Sequence, residues 1–139
     1  MLTRKFFLSA ALAAVTALPA AVEAAPAKSS PCILSEHSIV SVVPYKVEEH
    51  IGKNVVQRVR GAQVYLLAQP GLTPEWLQLN LERHLALMQG SATMPDCVFG
   101  LEKVRIEVAS AGSGFWVRLV APNTSSGEEV LRRAQLLVK

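Results

Sequence analysis

The sequence predicts an α+β domain in which two helices cover one face of a four-stranded sheet. Three observations support this fold class. Apolar, β-branched residues mark four strand segments, two amphipathic segments begin with helix-capping residues, and the elements follow one another in the order ββαββα. The predicted two-layer sandwich is a single domain over residues 38–139, and a flexible tail over residues 25–37 precedes it.

The first two strands form a predicted hairpin. Residues 38–50 are rich in Val and Ile but contain Pro44, which lacks a backbone N–H and therefore predicts an edge strand or a bulge. The residues "IGKN" predict a turn, because Gly52 tolerates a positive φ angle. The second strand, 55–68, contains Gly61, which predicts a bulge or the close approach of another backbone.

The stretch "LTPEWLQLNLERHLALM" predicts the first helix, which should continue to about Gln89. Thr73 suits the N-cap because its hydroxyl can accept a backbone N–H of the first turn. Pro74 suits the first helical position, where no N–H is required, and Glu75 suits the positive end of the helix. Gly90 is the predicted stop. Both ends of this helix are therefore predicted independently of its hydrophobic periodicity.

The second half of the chain predicts a strand, a tight hairpin, a strand and a final helix. Val104, Ile106 and Val108 alternate with charged residues, which is typical of a half-buried strand. The residues "AGSG" predict the hairpin turn, and "FWVRLVA" predicts the returning strand. A serine followed three residues later by a glutamate predicts a capping box, and two such pairs are present: Ser125 with Glu128, and Ser126 with Glu129. The apolar side of the final helix carries Val130, Ala134, Leu137 and Val138.

Hydrophobicity predicts the strand order 1-2-4-3, because the strands that precede the helices are the most apolar and should lie in the centre. At the level of topology this order is a circular permutation of the ferredoxin-like sandwich. The offset that maps Gly61 onto Gly114 also maps Val64 onto Val117 and aligns the two predicted N-caps, Thr73 with Ser126. Two ββα half-repeats are one interpretation of this match, and a shared strand-turn-helix pattern is the other.

Residues 1–24 are interpreted as a signal peptide. Two basic residues precede an apolar run that ends before Pro19, and the small residues Val22 and Ala24 precede a predicted cleavage before Ala25. The apolar run is shorter than the roughly 20 residues of a membrane span, although a retained anchor is the alternative. The leader predicts an exported protein, periplasmic or secreted, with no membrane span after cleavage.

Charge and motifs argue against nucleic-acid binding and against catalysis. The formal net charge is only +3, and beyond the leader the basic residues form no stripe of the kind that nucleic-acid binding requires. The serine in "AGSGF" lies in a hairpin turn and not in the strand-to-helix elbow of a hydrolase. No phosphate-binding loop or dinucleotide fingerprint is present. A small hydrolase without a recognisable motif is therefore the third hypothesis, and no catalytic residue is assigned.

The chain contains two cysteines, Cys32 and Cys97. In an exported protein such a pair predicts a structural disulfide, with free thiols or redox chemistry as the alternatives. The absence of a Cys-x-x-Cys motif disfavours a thioredoxin-like catalyst. The disulfide conflicts with the predicted strand order, because each cysteine precedes a strand that should lie at an opposite edge of the sheet.

His84 and Asn80 lie on the face of the first helix that should be buried. The favoured interpretation is a structural histidine with a hydrogen-bond partner, for which Asn80 is one candidate. A second interpretation is a polar notch that opens into a ligand pocket. A third is a copper or zinc site formed by His84 and Met88, which are four residues apart on one helix face, with the cysteines as ligands only if they are not paired.

Trp116 alternates outward with Arg118, onto the sheet face opposite the helices, where Tyr65 should join them. These three residues predict an aromatic surface for a protein partner, and packing against the N-terminal tail is the alternative. The first functional hypothesis is therefore an exported, disulfide-stabilised, non-enzymatic binding or accessory domain. The main alternative is a periplasmic protein that handles copper or zinc through His84 and Met88.

Overall fold

The computed structural model describes residues 32–89 and 95–138, and it confirms the α+β fold and the order ββαββα. The strands are β1 (Ile39–Ile51), β2 (Asn54–Leu67), β3 (Arg105–Ala111) and β4 (Gly114–Val120), and the helices are α1 (Pro74–Met88) and α2 (Thr124–Gln135). Two short 3-10 turns, Ile33–Glu36 and Val98–Gly100, precede β1 and β3. The predicted signal peptide, residues 1–24, and the predicted helix stop at Gly90 lie outside the described residues.

The sheet has the order β1-β2-β4-β3, and each neighbouring pair is antiparallel. This is the predicted order, and it follows the permuted ferredoxin-like topology. β4 pairs with β2 only between Gly61 and Leu67, so the outer part of the β1–β2 hairpin continues beyond the sheet as a two-stranded ribbon. That ribbon closes in the predicted turn, where Gly52 adopts a φ of 63°.

The predicted irregularities of the first hairpin are both present. Pro44 lies in the edge strand β1, where its missing N–H does not interrupt a central ladder. A register shift follows Tyr45, which pairs with Gly61 while Lys46 pairs with Val59, so that Arg60 is the extra residue of a bulge. Gly61 has a φ of 153°, and a Cβ there would overlap the backbone of Leu119 in β4. Glycine is therefore required where β2 passes close to β4.

The β2–β4 register is symmetric about one residue pair. Val64 pairs with Val117, Gly61 pairs with Val120 and Leu67 pairs with Gly114. The sequence offset that maps Gly61 onto Gly114 also maps Val64 onto its own partner, so the aligned residues are related by a local two-fold axis through the centre of the sheet. Gly114 also repeats the close approach of Gly61, because a Cβ there would overlap the carbonyl of Leu66.

Both helices pack on one face of the sheet, around a single core. The fully buried residues include Val64 and Leu66 of β2, Val117 and Leu119 of β4, Leu77 and Leu81 of α1, and Val130 and Ala134 of α2. α1 lies mainly on β3, and α2 lies mainly on β2. The predicted apolar side of α2 is correct for Val130 and Ala134, whereas Leu137 and Val138 follow the end of the helix.

The two helices begin differently from each other. Thr73 caps α1 as predicted, since its Oγ1 accepts the N–H of Trp76 at 3.2 Å, and Pro74 is the first helical residue. The predicted cap of α2 at Ser125 or Ser126 is wrong, because Asn123 is the N-cap and its Oδ1 accepts the N–H of Ser126 at 2.8 Å. Asparagine caps a helix as well as serine does, and it allows α2 to begin earlier.

The last residues of the predicted tail belong to the packed domain. Residues 25–31 lie outside the described residues, but Ile33–Glu36 forms a 3-10 turn, in which Leu34 is completely buried in the core. The Ser35 hydroxyl donates to the carbonyl of Cys32 at 2.6 Å and reinforces this turn. Within the predicted tail, Cys32 and Leu34 therefore pack in the core.

A glutamine of α1 forms hydrogen bonds with the outer edge of β3, the edge that does not pair with β4. The Gln78 Nε2 donates to the carbonyl of Ile106 at 2.8 Å, and its Oε1 accepts the N–H of Val108 at 2.7 Å. One amide side chain thus satisfies the donor and the acceptor that a further strand would use, which protects this edge against strand addition. The sequence analysis did not identify Gln78, because its partners are backbone groups of a distant strand.

Gly127 should not tolerate a side chain in α2. A Cβ at this residue would lie 2.7 Å from the Arg60 backbone and 2.8 Å from the Val59 carbonyl oxygen. Alanine has the better helix propensity by about 1 kcal/mol. We nevertheless expect Gly127→Ala to lower the free energy of unfolding by about 1–3 kcal/mol, because a strand backbone cannot yield to the methyl group.

Urea denaturation followed by circular dichroism measures this effect. Ser125→Ala is the matched control, because Ser125 is exposed in the same helix and its substitution should leave stability unchanged or slightly higher. A Gly127→Ala protein as stable as the wild type would show that α2 does not depend on this close contact.

Candidate functional site

Cys32 and Cys97 form the predicted disulfide, with their Cα atoms 5.3 Å apart. Both cysteines are buried members of the core cluster, and each directly precedes one of the two 3-10 turns. The bond therefore joins two connecting segments inside the core and not the two edge strands themselves. This resolves the conflict between the disulfide and the strand order, because β1 and β3 remain at opposite edges of the sheet.

Helix α2 holds the segment that carries Cys97. The Arg133 Nη1 donates to the Cys97 carbonyl at 3.1 Å, and its Nε donates to a carboxylate oxygen of Glu129 at 2.7 Å. The side chain of Arg133 is only 16% exposed, so this contact lies largely out of solvent. Hydrogen bonds from Arg132 and Arg133 lower the pKa of the Glu129 carboxyl to about 2. The carboxylate therefore remains charged and keeps Arg133 oriented toward Cys97.

His84 lies against the disulfide. Its Nε2 is 4.0 Å from the Sγ of Cys97, and its ring packs nearly perpendicular to the Phe99 ring at a centroid distance of 5.5 Å. Burial lowers the pKa of His84, and the carboxylate of Glu36 partly opposes this shift. The imidazole is thus half-buried between α1 and the two 3-10 turns, in an environment that favours its neutral form.

Asn80 and Met88 occupy other surroundings on α1. The Asn80 Nδ2 donates to the carbonyl of Trp76 at 2.8 Å, one turn earlier in the helix. Met88 is buried in the core, whereas Trp76 is 53% exposed. The residues that lie beside the imidazole are the two cysteines and Phe99. Two earlier possibilities remain predictions: a polar notch of His84 with Asn80, and a metal pair of His84 with Met88.

Three groups with metal-ligating capacity converge at this point. The ligand atoms of Cys32, His84 and Cys97 all lie within 4.8 Å of one another. The sequence predicts the cysteines as ligands beside His84 only if they are not paired, and it does not predict that all three residues meet, because they lie in three separate segments. The signal available for part of the cluster was that the inward His84 and Cys97 flank the same connection between α1 and β3.

A second candidate region lies on the open face of the sheet. The rings of Tyr65 and Trp116 pack with their centroids 5.0 Å apart, and the Tyr65 hydroxyl donates to the carbonyl of Ala111 at 3.2 Å. Beside them, the Arg118 guanidinium lies 4.8 Å from the centroid of the Tyr45 ring and bonds a carboxylate oxygen of Glu107 at 2.9 Å. All three residues predicted for the partner surface therefore lie in one half-exposed layer of contacts.

We call Tyr45, Tyr65, Trp116 and Arg118 the aromatic layer. Next to it lies a basic cavity of about 350 Å³, which Tyr45 also lines. Its cationic lining residues are Arg60, Lys103 and Arg105, and its remaining lining residues are Tyr45, Val47, Val120, Ala121 and Pro122. None of the lining residues is acidic. Lys103 is unusual because it adopts a φ of 58°, a left-handed conformation that costs free energy for a residue with a side chain.

No sequence pattern points to this cavity. Alternation with Val104, Ile106 and Val108 predicts only that Lys103 and Arg105 lie on the solvent side of β3, and no sequence pattern singles out Arg60. The bulge beside Gly61 displaces Arg60, and the end of β4 brings all three cations together. Gly61 was the only available signal, since it predicted a bulge at this place.

Opening the disulfide should strongly destabilise the domain. The bond spans 65 residues of sequence, and closing a loop of that length contributes about 4 kcal/mol in the chain-entropy model. We expect the Cys32→Ala/Cys97→Ala protein to lose about this amount of unfolding free energy. Urea denaturation of the oxidised and variant proteins measures the difference, and a loss below about 1 kcal/mol would show that core packing alone holds the N-terminal turn.

Stability should also depend on pH through His84. Its folded pKa lies below the ordinary value of 6.5, so between these two values the unfolded chain binds more protons than the folded one. We therefore expect the free energy of unfolding to fall as the pH decreases below 6.5. Denaturation between pH 8 and pH 5 measures this slope, which should be smaller in His84→Gln.

The Glu129 carboxyl contributes little to the pH dependence of stability between pH 8 and pH 5. Its folded pKa of about 2 lies below its ordinary value of 4.5, so its contribution is complete above pH 4.5 and is lost only as the pH falls toward 2. Equal slopes in the wild type and in His84→Gln between pH 8 and pH 5 would contradict the predicted role of the imidazole.

No helix within residues 32–89 and 95–138 has the length and apolarity needed to cross a bilayer. Comparison with protein-family models, with curated proteins and with solved structures gives no match for this chain.

Proposed function

We propose that this protein is an exported, disulfide-stabilised accessory domain that binds a protein partner on the open face of its sheet. The observation that carries the proposal is the continuity of the aromatic layer with the basic cavity, since Tyr45 belongs to both. The partner should present an apolar or aromatic side chain to Trp116 and a carboxylate to the cations of the cavity. The disulfide supports export, because such bonds persist in oxidising compartments.

The composition of the face supports protein binding. Tyrosine, tryptophan and arginine are the residues that most often dominate binding energy at protein interfaces. Here Tyr65 and Trp116 support each other by ring packing, and Arg118 is held between Tyr45 and Glu107. Side chains that are already oriented lose little conformational entropy on binding, so their contact area contributes more fully to affinity.

The charge of the cavity favours an acidic group on the partner. Arg60, Lys103 and Arg105 line it, whereas the nearby carboxylate of Glu107 is already bonded to Arg118. A carboxylate entering the cavity would therefore meet cations and no competing anion. Such complementarity raises the association rate and the specificity of a protein interface more than its final affinity.

The sheet edges favour binding on the face instead of strand addition. Gln78 occupies backbone groups of β3 at one edge, and Pro44 lacks a donor on β1 at the other edge. A partner strand at the β3 edge would therefore find one donor and one acceptor already occupied by Gln78. The half-exposed aromatic face is the better surface for binding.

Panning a random peptide library against the immobilised oxidised domain tests the proposal. We expect enriched peptides that combine Asp or Glu with an aromatic or large aliphatic residue. Affinity for a synthetic copy of the consensus peptide should fall at least tenfold in Trp116→Ala, the range typical of an interface anchor, and in Arg105→Glu. It should also fall with increasing salt, because the cavity is cationic.

Matched control variants are available on α1. Trp76 is an exposed tryptophan and Arg83 an exposed arginine, and both lie on the helix layer away from the open face. Trp76→Ala and Arg83→Glu should leave affinity unchanged. Enrichment of no consensus, or an equal loss in Trp76→Ala and Trp116→Ala, would refute binding at the open face.

A further inference from the structure

We propose that reduction of the Cys32–Cys97 disulfide converts this part of the core into a metal site, in which two thiolates and the His84 imidazole bind a thiophilic cation such as Zn²⁺. The site is distinct from the open sheet face and does not depend on the partner proposed above. The same three side chains would then exist in two states: a covalent sulfur–sulfur bond beside a neutral imidazole, or a cation held by all three.

The distances suit this coordination. The Nε2 of His84 is 4.0 Å from the Sγ of Cys97, and all three ligand atoms lie within 4.8 Å of one another. Zinc bonds of about 2.3 Å to sulfur and about 2.0 Å to nitrogen place tetrahedral ligands roughly 3.5–3.8 Å apart. Once the sulfur–sulfur bond is open, the two sulfurs must move apart to this spacing, while the His84 nitrogen is already close to it.

The backbone around the ligands is already held in place. His84 lies on α1, and Arg133 of α2 bonds the carbonyl of Cys97 itself. Cys32 directly precedes the turn whose Leu34 is completely buried in the core. Ligands that are positioned by separate packed elements reduce the ordering cost of binding a metal.

The surroundings favour a cation. His84 lies half-buried beside Phe99, with its Nε2 toward the Sγ of Cys97. Glu36 is the charged group that acts on His84, and its carboxylate favours positive charge at this place. Two thiolates and one Zn²⁺ are neutral in sum, so the loaded site carries no net charge into the core.

The redox step balances with a dithiol as reductant. One thiolate of the reductant attacks a sulfur of the Cys32–Cys97 bond and forms a mixed disulfide, and its second thiolate then displaces that cysteine. The reductant leaves as its own disulfide, and both electrons remain on the two cysteine sulfurs. Zinc then replaces the two thiol protons, which are released to solvent.

The consequence is a connection between the N-terminal turn and the core that survives reduction. In the oxidised protein the covalent bond fixes the turn that contains Leu34, and in the reduced protein the cation takes over this role. Metal occupancy would thus report the redox state of the compartment, because the oxidised cysteines are not available as ligands.

Zinc titration of the oxidised and reduced proteins tests the proposal. The protein is reduced with a phosphine, freed of reductant under argon, and titrated with Zn²⁺ in competition with a chromophoric chelator. We expect one Zn²⁺ per reduced chain and no comparable binding by the oxidised chain. Co²⁺ in place of Zn²⁺ should give thiolate charge-transfer absorption and the intense d–d bands of tetrahedral coordination.

Histidine variants separate a ligand from a structural residue. His84→Ala should weaken Zn²⁺ binding by the reduced protein at least tenfold, whereas His50→Ala should have no effect, because His50 lies exposed on the distant β1–β2 ribbon. Zinc should also raise the melting temperature of the reduced wild type, or restore its fold if reduction unfolds it, and His84→Ala should lose this effect.

Three results would overturn the proposal: equal zinc affinity of the reduced wild type and His84→Ala, equal affinity of the oxidised and reduced wild type, or a reduced protein that zinc neither stabilises nor refolds. None of these measurements involves the open sheet face. Their failure is therefore distinguishable from the failure of partner binding.

Discussion

The antiparallel pairing of β2 with β4 joins the two halves of the chain, and the rest of the structure depends on it. The pair is centred on Val64 and Val117, and it requires a glycine at each end, because Gly61 and Gly114 both touch a carbonyl of the opposite strand. With these strands in the centre, β1 and β3 become the edges and both helices cover the same face. The pairing thereby separates a closed helix layer from an open sheet face.

The basic cavity and the cluster of Cys32, Cys97 and His84 both depend on the β2–β4 pairing. The bulge beside Gly61 displaces Arg60 toward Lys103 and Arg105, so the basic cavity forms where the close β2–β4 contact ends. On the helix-covered face, the segments before β1 and β3 pack in the core, and there Cys32 and Cys97 form their disulfide beside His84. The same constraint therefore creates an exposed cationic region and a buried sulfur cluster.

The His84 imidazole lies beside Phe99 and Cys97. Asn80 bonds its own helix, whereas Phe99 and Cys97 belong to the segment that the disulfide and Arg133 hold against α1. Burial lowers the pKa of His84, and neither the Phe99 ring nor the Cys97 sulfur is a strong hydrogen-bond partner for its imidazole. A histidine in this position can stabilise the oxidised core and is also placed to bind a cation when the sulfurs separate.

Much of the local structure could be predicted because its causes are local. Thr73 and Pro74 begin α1 through their own backbone chemistry, Pro44 restricts β1 to an edge, and alternation assigns Trp116 and Arg118 to the outer face. The start of α2 was predicted incorrectly because Asn123, Ser125 and Ser126 are all competent caps, and a local signal does not choose between them. The close contact of Gly127 with β2 and the cap at Asn123 are features of how the helix is placed in the fold.

The sequence by itself determined the fold class, the strand order and the pairing of the two cysteines, since periodicity, breakers and cysteine count are properties of the chain. Only the tertiary structure decided which side chains became neighbours. His84 beside Cys97, Arg133 on the Cys97 carbonyl, and the meeting of Arg60 with Lys103 and Arg105 all join residues that are distant in sequence. Such contacts depend on bulges, register and the paths of connecting segments, and their physical cause is the packing of the whole core.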